Sequence, residues 1–156
     1  MGAGPSNPDV RRVIILDTNV ISEMLRPLPH PPVSVWVDSQ NRADLYTTSI
    51  TQAEILGGIG VMPAGRRRSD LQSTAEQYFD RLYAGRIMPF GQSEASAFAE
   101  ILADRNRSGR PISKFDALIA AIARHSGFSV ATRNVKDFTG CGVTVINPWD
   151  GTTTPG

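Results

Sequence analysis

The sequence predicts an α/β protein: a central, mainly parallel sheet with helices on both faces, in three α/β/α layers. Three observations predict it. Short apolar runs rich in branched residues alternate with helical stripes along the chain, the order of parallel strands joined by helices. The first run, Val13-Ile14-Ile15-Leu16, is apolar on both sides of its alternation, as in a strand covered on both faces. A length of 156 residues suits one domain, because two halves would each have little core.

The elements follow in order. After the first strand and Asp17, Asn19 to Leu25 reads as a short helix stopped by Pro27 and Pro29. Val33 to Asp38 forms another, with Trp36 inward. Leu45-Tyr46-Thr47-Thr48 is a second short strand. Ser49 to Thr51 turn the chain into a helix carrying Ala53, Ile55 and Leu56, and Gly57, Gly58 and Gly60 leave its end open. From Ser69 to Tyr83, Leu71, Ala75, Tyr78, Phe79 and Leu82 recur at intervals of three and four, one apolar stripe of a helix. Arg86 to Phe90 is a further strand. A helix begins at Ser93 and ends at Gly109 and Pro111. Ser113 caps the most apolar helix, Phe115 to His125, whose composition implies central burial, with Gly127 at its end. Phe128 to Thr132 is a strand, Val135 to Phe138 one helical turn, and Val143 to Ile146 the final strand. Residues 1–12 and 151–156 are expected to be flexible tails around a domain at 13–150.

Composition excludes several classes. The net charge of +1 says little about partners, although nucleic-acid-binding proteins are often strongly basic and this chain is not. Arginine supplies all but two of the 16 basic residues, and Arg66, Arg67 and Arg68 run together as a solvated loop or first helical turn. The single cysteine, Cys141, rules out an internal disulfide and a cysteine-rich zinc site. Two histidines, His30 and His125, are too few for a histidine-rich zinc centre. No signal peptide and no membrane-spanning run is visible, which gives the expectation of a cytoplasmic protein with no membrane partner. No Gly-x-Gly-x-x-Gly or Walker A pattern is present.

Sites in open α/β sheets lie beyond the C-terminal ends of the strands. The acids there are Asp17, Glu54, Asp116 and Asp137, with Asn134 beside them. Each has a structural alternative. Asp17 can cap the helix after it. Glu54 in Thr51-Gln52-Ala53-Glu54 and Asp116 in Ser113-Lys114-Phe115-Asp116 have capping-box spacing. Asn134 can cap Val135 to Phe138, and Asp137 can be a first-turn acid. Yet several carboxylates facing one crevice repel each other, and a hard divalent cation resolves that repulsion. Such a cation polarises a phosphodiester and lowers the pKa of bound water, so no nucleophilic side chain is required.

Four stretches, in order, resemble the PIN-domain nucleases, most closely the VapC/FitB-like toxins of type II toxin–antitoxin systems. They are Val13 to Glu23 around Asp17, Ile50 to Ile55 around Glu54, Asp116-Ala117-Leu118-Ile119-Ala120-Ala121, and Ala131 to Phe138 followed by Asn147-Pro148-Trp149. The resemblance spans about residues 13 to 150. It implies a PIN-like fold and Mg²⁺-dependent endoribonuclease activity, with Mn²⁺ as a substitute. It implies a catalytic set of Asp17, Glu54, Asp116 and Asn134, with metal held by Asp17, Glu54 and Asp116; Asp137, one helical turn from the neutral Asn134, is read beside them as a further metal residue that supplies the missing charge. Thr18, Asn19 and Thr132 would donate hydrogen bonds behind these groups, and Arg133, Arg66 to Arg68 or Arg110 would meet RNA phosphates. The implied partners are an RNA substrate and a cognate antitoxin, in a homodimer that forms a heterotetramer or larger assembly with it. A general RNA-processing nuclease and a non-catalytic RNA-binding module are the alternatives.

Overall fold

The computed structural model describes residues 12–156. The tail expected at 1–12 therefore lies, apart from Arg12, outside the described residues.

Among the described residues, six strands form one sheet: β1 (Ile14–Leu16), β2 (Leu45–Thr48), β3 (Ile87–Met88), β4 (Ser129–Ala131), β5 (Val145–Ile146) and β6 (Thr153–Thr154). Their spatial order is β3-β2-β1-β4-β5-β6. The first five run parallel, with Ile15 opposite both Tyr46 and Val130, and only β6 is antiparallel, on β5. The segment 151–156, read as a flexible tail, thus adds an edge strand. Thr154 and Thr153 pair with Val145 and Ile146 after a turn closed by Gly151 N–H to Asn147 C=O at 2.8 Å.

Alternation in β1 divides the core. Ile14 and Leu16 face one layer and Ile15 the other, as a period of two demands. The first layer holds α1 (Thr18–Met24), α2 (Pro31–Ser39), α3 (Ser49–Gly60) and α4 (Arg66–Gln77). Its interior includes Val20, Ile21, Val33, Ile55 and Phe79. The second holds α5 (Ala95–Arg107), α6 (Lys114–Ser126) and α7 (Val135–Phe138). Every α6 residue from Ile119 to Ala123 is fully buried there.

Several boundaries depart from the sequence reading. The arginine run is the first turn of α4, three residues before the expected start. Arg68 donates to the Met62 carbonyl at 3.3 Å and Arg66 faces Asp70 at 3.7 Å. The expected single helix to Tyr83 changes at Tyr78 into a π-helical turn, Tyr78–Leu82, which buries Phe79 completely. The three glycines of α3 do not end it early; the helix continues to Gly60.

Candidate active site

The order β2-β1-β4 makes the β1/β4 boundary a topological switch point, where chains leave neighbouring strands in opposite directions and a crevice opens. Asp17 ends β1 there, and Thr132 to Asn134 leave β4 beside it. The Asp17 N–H donates to the Ala131 carbonyl at 2.9 Å, which locks the two strand ends together.

Asp17 is 4% exposed. Its Oδ1 accepts from the Thr18 N–H at 2.8 Å. Its Oδ2 accepts from the Thr132 hydroxyl at 2.8 Å and from the Asn19 amide at 3.2 Å. Asp17 therefore does cap α1, and the same carboxylate still reaches the crevice. Burial pushes its pKa up to about 6 against the pull of the Thr132 and Thr18 bonds, and the charges of Asp116 and Glu54 push the same way.

Glu54 comes from α3. The capping-box reading fails for it, because Thr48 caps α3 by accepting from the Thr51 N–H. Glu54 is free to accept from the Thr18 hydroxyl at 3.0 Å. Burial raises its pKa, opposed by that bond and assisted by Asp116. Asp116 comes from α6, where its N–H is capped by the Ser113 hydroxyl at 3.2 Å. Burial raises its pKa too; Ser113 opposes, Asp137 adds repulsion, and Arg105 partly offsets it. Asn134 makes no side-chain cap to α7. Its exposed amide lines the crevice instead.

The crevice has a volume of about 420 Å³. Asp17, Glu54, Asp116 and Asn134 all line it; Asp137 does not, and acts on the group only through its charge near Asp116. Glu23, Arg26 and Trp149 also line it and were missed. Glu23 was legible: Asn19, Ser22 and Glu23 follow helical spacing of three and four, so one face of α1 points at the acids. Burial works to raise the Glu23 pKa, but the His30 N–H at 2.9 Å and Arg26 at 3.2 Å hold it below the ordinary value. Both histidines are exposed and off the crevice, and Cys141 is fully buried with its thiol pKa raised by burial.

Among the described residues, no three His, Cys, Asp or Glu side chains close around one point as a metal centre. The donor set nonetheless fits a hard cation. It is all oxygen, and none of Asp17, Glu54 and Asp116 is paired with a described Lys or Arg. Mg²⁺ keeps several of its waters, so carboxylates held apart across a crevice can share it partly through water.

Beside the crevice, and sharing Thr18, Ser22, Arg26 and Glu54 with it, lies a larger apolar groove of about 970 Å³ between α1, α3 and α4. Leu25, Ile55, Ile59, Met62 and Leu71 line it.

Comparison with known proteins places these features in a family. The PIN domain model matches residues 14–139. The VapC ribonuclease Y4jK of Sinorhizobium fredii is 41% identical over 138 residues, 88% of this chain and 99% of its own. Toxin FitB of Neisseria gonorrhoeae is 40% identical over 137 residues, again 88% and 99%. The solved structure of FitAB bound to IR36 DNA fragment superposes with a TM-score of 0.82 at 40% identity, covering 88% of this chain and 96% of that one.

Proposed function

Because this chain belongs to the PIN-domain family and is closely related to the VapC- and FitB-type toxins, a group of Mg²⁺-dependent ribonucleases, we propose that it is itself an endoribonuclease toxin. The observation that carries this reading is the meeting of Asp17 from the sheet, Glu54 from one helical layer and Asp116 from the other in one crevice at the switch point.

In this reading Asp17, Glu54 and Asp116 hold Mg²⁺, or Mn²⁺ in its place, with the Asn134 carbonyl beside them. When bound, such a cation would supply positive charge for the scissile phosphodiester and lower the pKa of a bound water. The protein's own part is orientation. Three donors fix the plane of the Asp17 carboxylate, and one hydroxyl, Thr18, fixes Glu54. Thr132 ties Asp17 to the next strand end by also accepting from the Asn134 N–H at 3.1 Å. The Asn134 amide is neutral and non-basic, so it orients rather than acts as a base. Asp137 strengthens the negative field at Asp116 from outside the crevice.

The apolar groove against the crevice suits an antitoxin segment with an apolar face, and exposed Leu28 and Val61 add apolar surface near its residues Pro27 and Met62. We assign to this chain a cognate antitoxin there, and a homodimer that assembles with it.

The direct test is cleavage of RNA by purified protein with Mg²⁺. Asp17→Asn and Asp116→Asn are expected to lower the rate on the order of a hundred-fold or more with folding kept. The open spacing of the acids favours one second reading, a non-catalytic RNA-binding module. Undiminished RNA binding with no Mg²⁺-dependent cleavage by the wild type would decide for it.

A further inference from the structure

Among the described residues two arginines reach the crevice, and they are placed differently. The Arg26 guanidinium donates to Glu23 at 3.2 Å, so part of its charge is already engaged. Arg133 is exposed, and among the described residues its guanidinium donates to no protein acceptor and pairs with no carboxylate. It lies over the Trp149 ring, 5.3 Å from the ring centroid.

Both partners in that contact are fixed from behind. The Arg133 N–H donates to the Asn19 side-chain oxygen at 3.2 Å, and the neighbouring Thr132 hydroxyl is bonded to Asp17. The Trp149 N–H donates to the Asn147 side chain at 2.9 Å, and its half-buried ring packs on the α1–α4 core. An exposed arginine beside three carboxylates would ordinarily fold onto them. Here the indole face attracts it instead, so the acids remain open to a cation and the five guanidinium donors remain unspent.

We propose that Arg133, held in place by Trp149, is the phosphate-binding residue of this site, gripping a backbone phosphate of RNA beside the scissile bond. The inference rests on the ribonuclease reading. A planar fork of donors matches phosphate oxygens in pairs, which an ammonium cannot do. A phosphate contact positions the strand without reading its bases. Trp149 is then a positioning residue: it touches no substrate and fixes the plane of the fork.

The test uses the full chain and a fluorescent single-stranded oligoribonucleotide. Binding is followed by anisotropy in Ca²⁺ at several salt concentrations, and cleavage in Mg²⁺. Arg133→Gln is expected to weaken binding about ten-fold and to reduce the slope of log affinity against log salt by about 0.7, the value for one phosphate contact on a single strand. Arg133→Lys keeps the slope and loses part of the affinity. Trp149→Ala lowers affinity several-fold with the slope kept, and Trp149→Phe, which retains an aromatic face and guards against a folding defect, restores most of it. Arg81→Gln, an exposed arginine off the crevice, changes neither. The Mg²⁺ concentration for half-maximal cleavage stays constant in Arg133→Gln, while KM rises. Wild-type protein that neither binds nor cleaves RNA removes the ribonuclease reading and this inference together. Wild-type protein that does either, with Arg133→Gln matching it in affinity and slope or Arg81→Gln falling equally, removes this inference alone.

Discussion

On one face of the sheet, α6 buries Ala117, Ala120, Ala121 and Ala123 completely in the layer that also holds Ile15 and Val130. On the other, α3 carries Gly57, Gly58 and Gly60, where an added Cβ would meet nothing within 4 Å. Small residues thus serve opposite ends. In α6 they let a helix approach the sheet closely. In α3, Gly58 leaves room on the wall of the groove between α1, α3 and α4. One layer is built for stability and the other for contact, and the acidic crevice sits on the seam, with Asp116 from the tight layer and Glu54 from the open one.

The seam should show the largest effect. Folding raises the Asp17 pKa from 3.8 to about 6. The folded state therefore binds this proton more tightly than the unfolded chain. Its charged form opposes folding above pH 6, and stability rises as pH falls from 8 towards 4. The shift corresponds to about 3 kcal/mol, and Glu54 and Asp116 add in the same direction. Chemical denaturation across that range should show the gain in wild type and a much smaller one in Asp17→Asn. Mg²⁺ at pH 8 should raise the melting temperature of wild type more than that of Asp17→Asn. A flat pH profile in wild type would mean that burial does not hold the Asp17 carboxyl above its ordinary range.

The tight layer comes next. Ala120→Leu adds volume where nothing is exposed, and overpacking of this kind costs typically 1–3 kcal/mol. Urea denaturation should place the loss near the middle of that range, about 2 kcal/mol. A loss below about 0.5 kcal/mol would erase the distinction between the layers.

Much of this arrangement was legible from single residues. Each strand core from Ile14 to Leu16, Leu45 to Thr48 and Val145 to Ile146 stood out as an apolar or branched run, because a strand covered on both faces has no polar side to hide. Ser113 and Gly127 marked the ends of α6 correctly, the first by its hydroxyl cap and the second by a φ of 72°. What stayed hidden depended on contacts between distant segments. Glu54 has capping-box spacing from Thr51, and only the position of Thr48 one turn earlier frees it. Asn134 looks like a cap, but the Asp137 N–H donates to its main-chain carbonyl at 3.0 Å and its side chain makes no cap. The pairing of Thr153 and Thr154 with β5 follows from an edge strand with open hydrogen-bonding groups, which no local pattern of threonines announces. Trp149 stood out only as the end of the Asn147-Pro148-Trp149 stretch, and its place under Arg133 is visible in the fold alone.

The smallest effect is also of opposite sign, which makes it the sharpest test of the open layer. Gly58 lies within α3, is exposed, lines the groove and has free space around its missing Cβ. Glycine in a helix interior costs roughly 0.5–1 kcal/mol relative to alanine through backbone entropy. Gly58→Ala should therefore stabilise the isolated chain by about that amount, a shift readable in the urea midpoint with an unchanged m-value. Its larger counterpart, Gly58→Leu, should leave the isolated chain folded and its cleavage of RNA intact while narrowing the groove. The cognate antitoxin proposed for this chain should then inhibit it less well than it inhibits wild type. A destabilised Gly58→Ala would show that the space beside α3 is filled. Full inhibition of a stable Gly58→Leu would show that the space is real but that the antitoxin seats elsewhere. Retained stability with lost inhibition would establish that this helix trades half a kilocalorie or so of its own stability for a surface on which its partner fits.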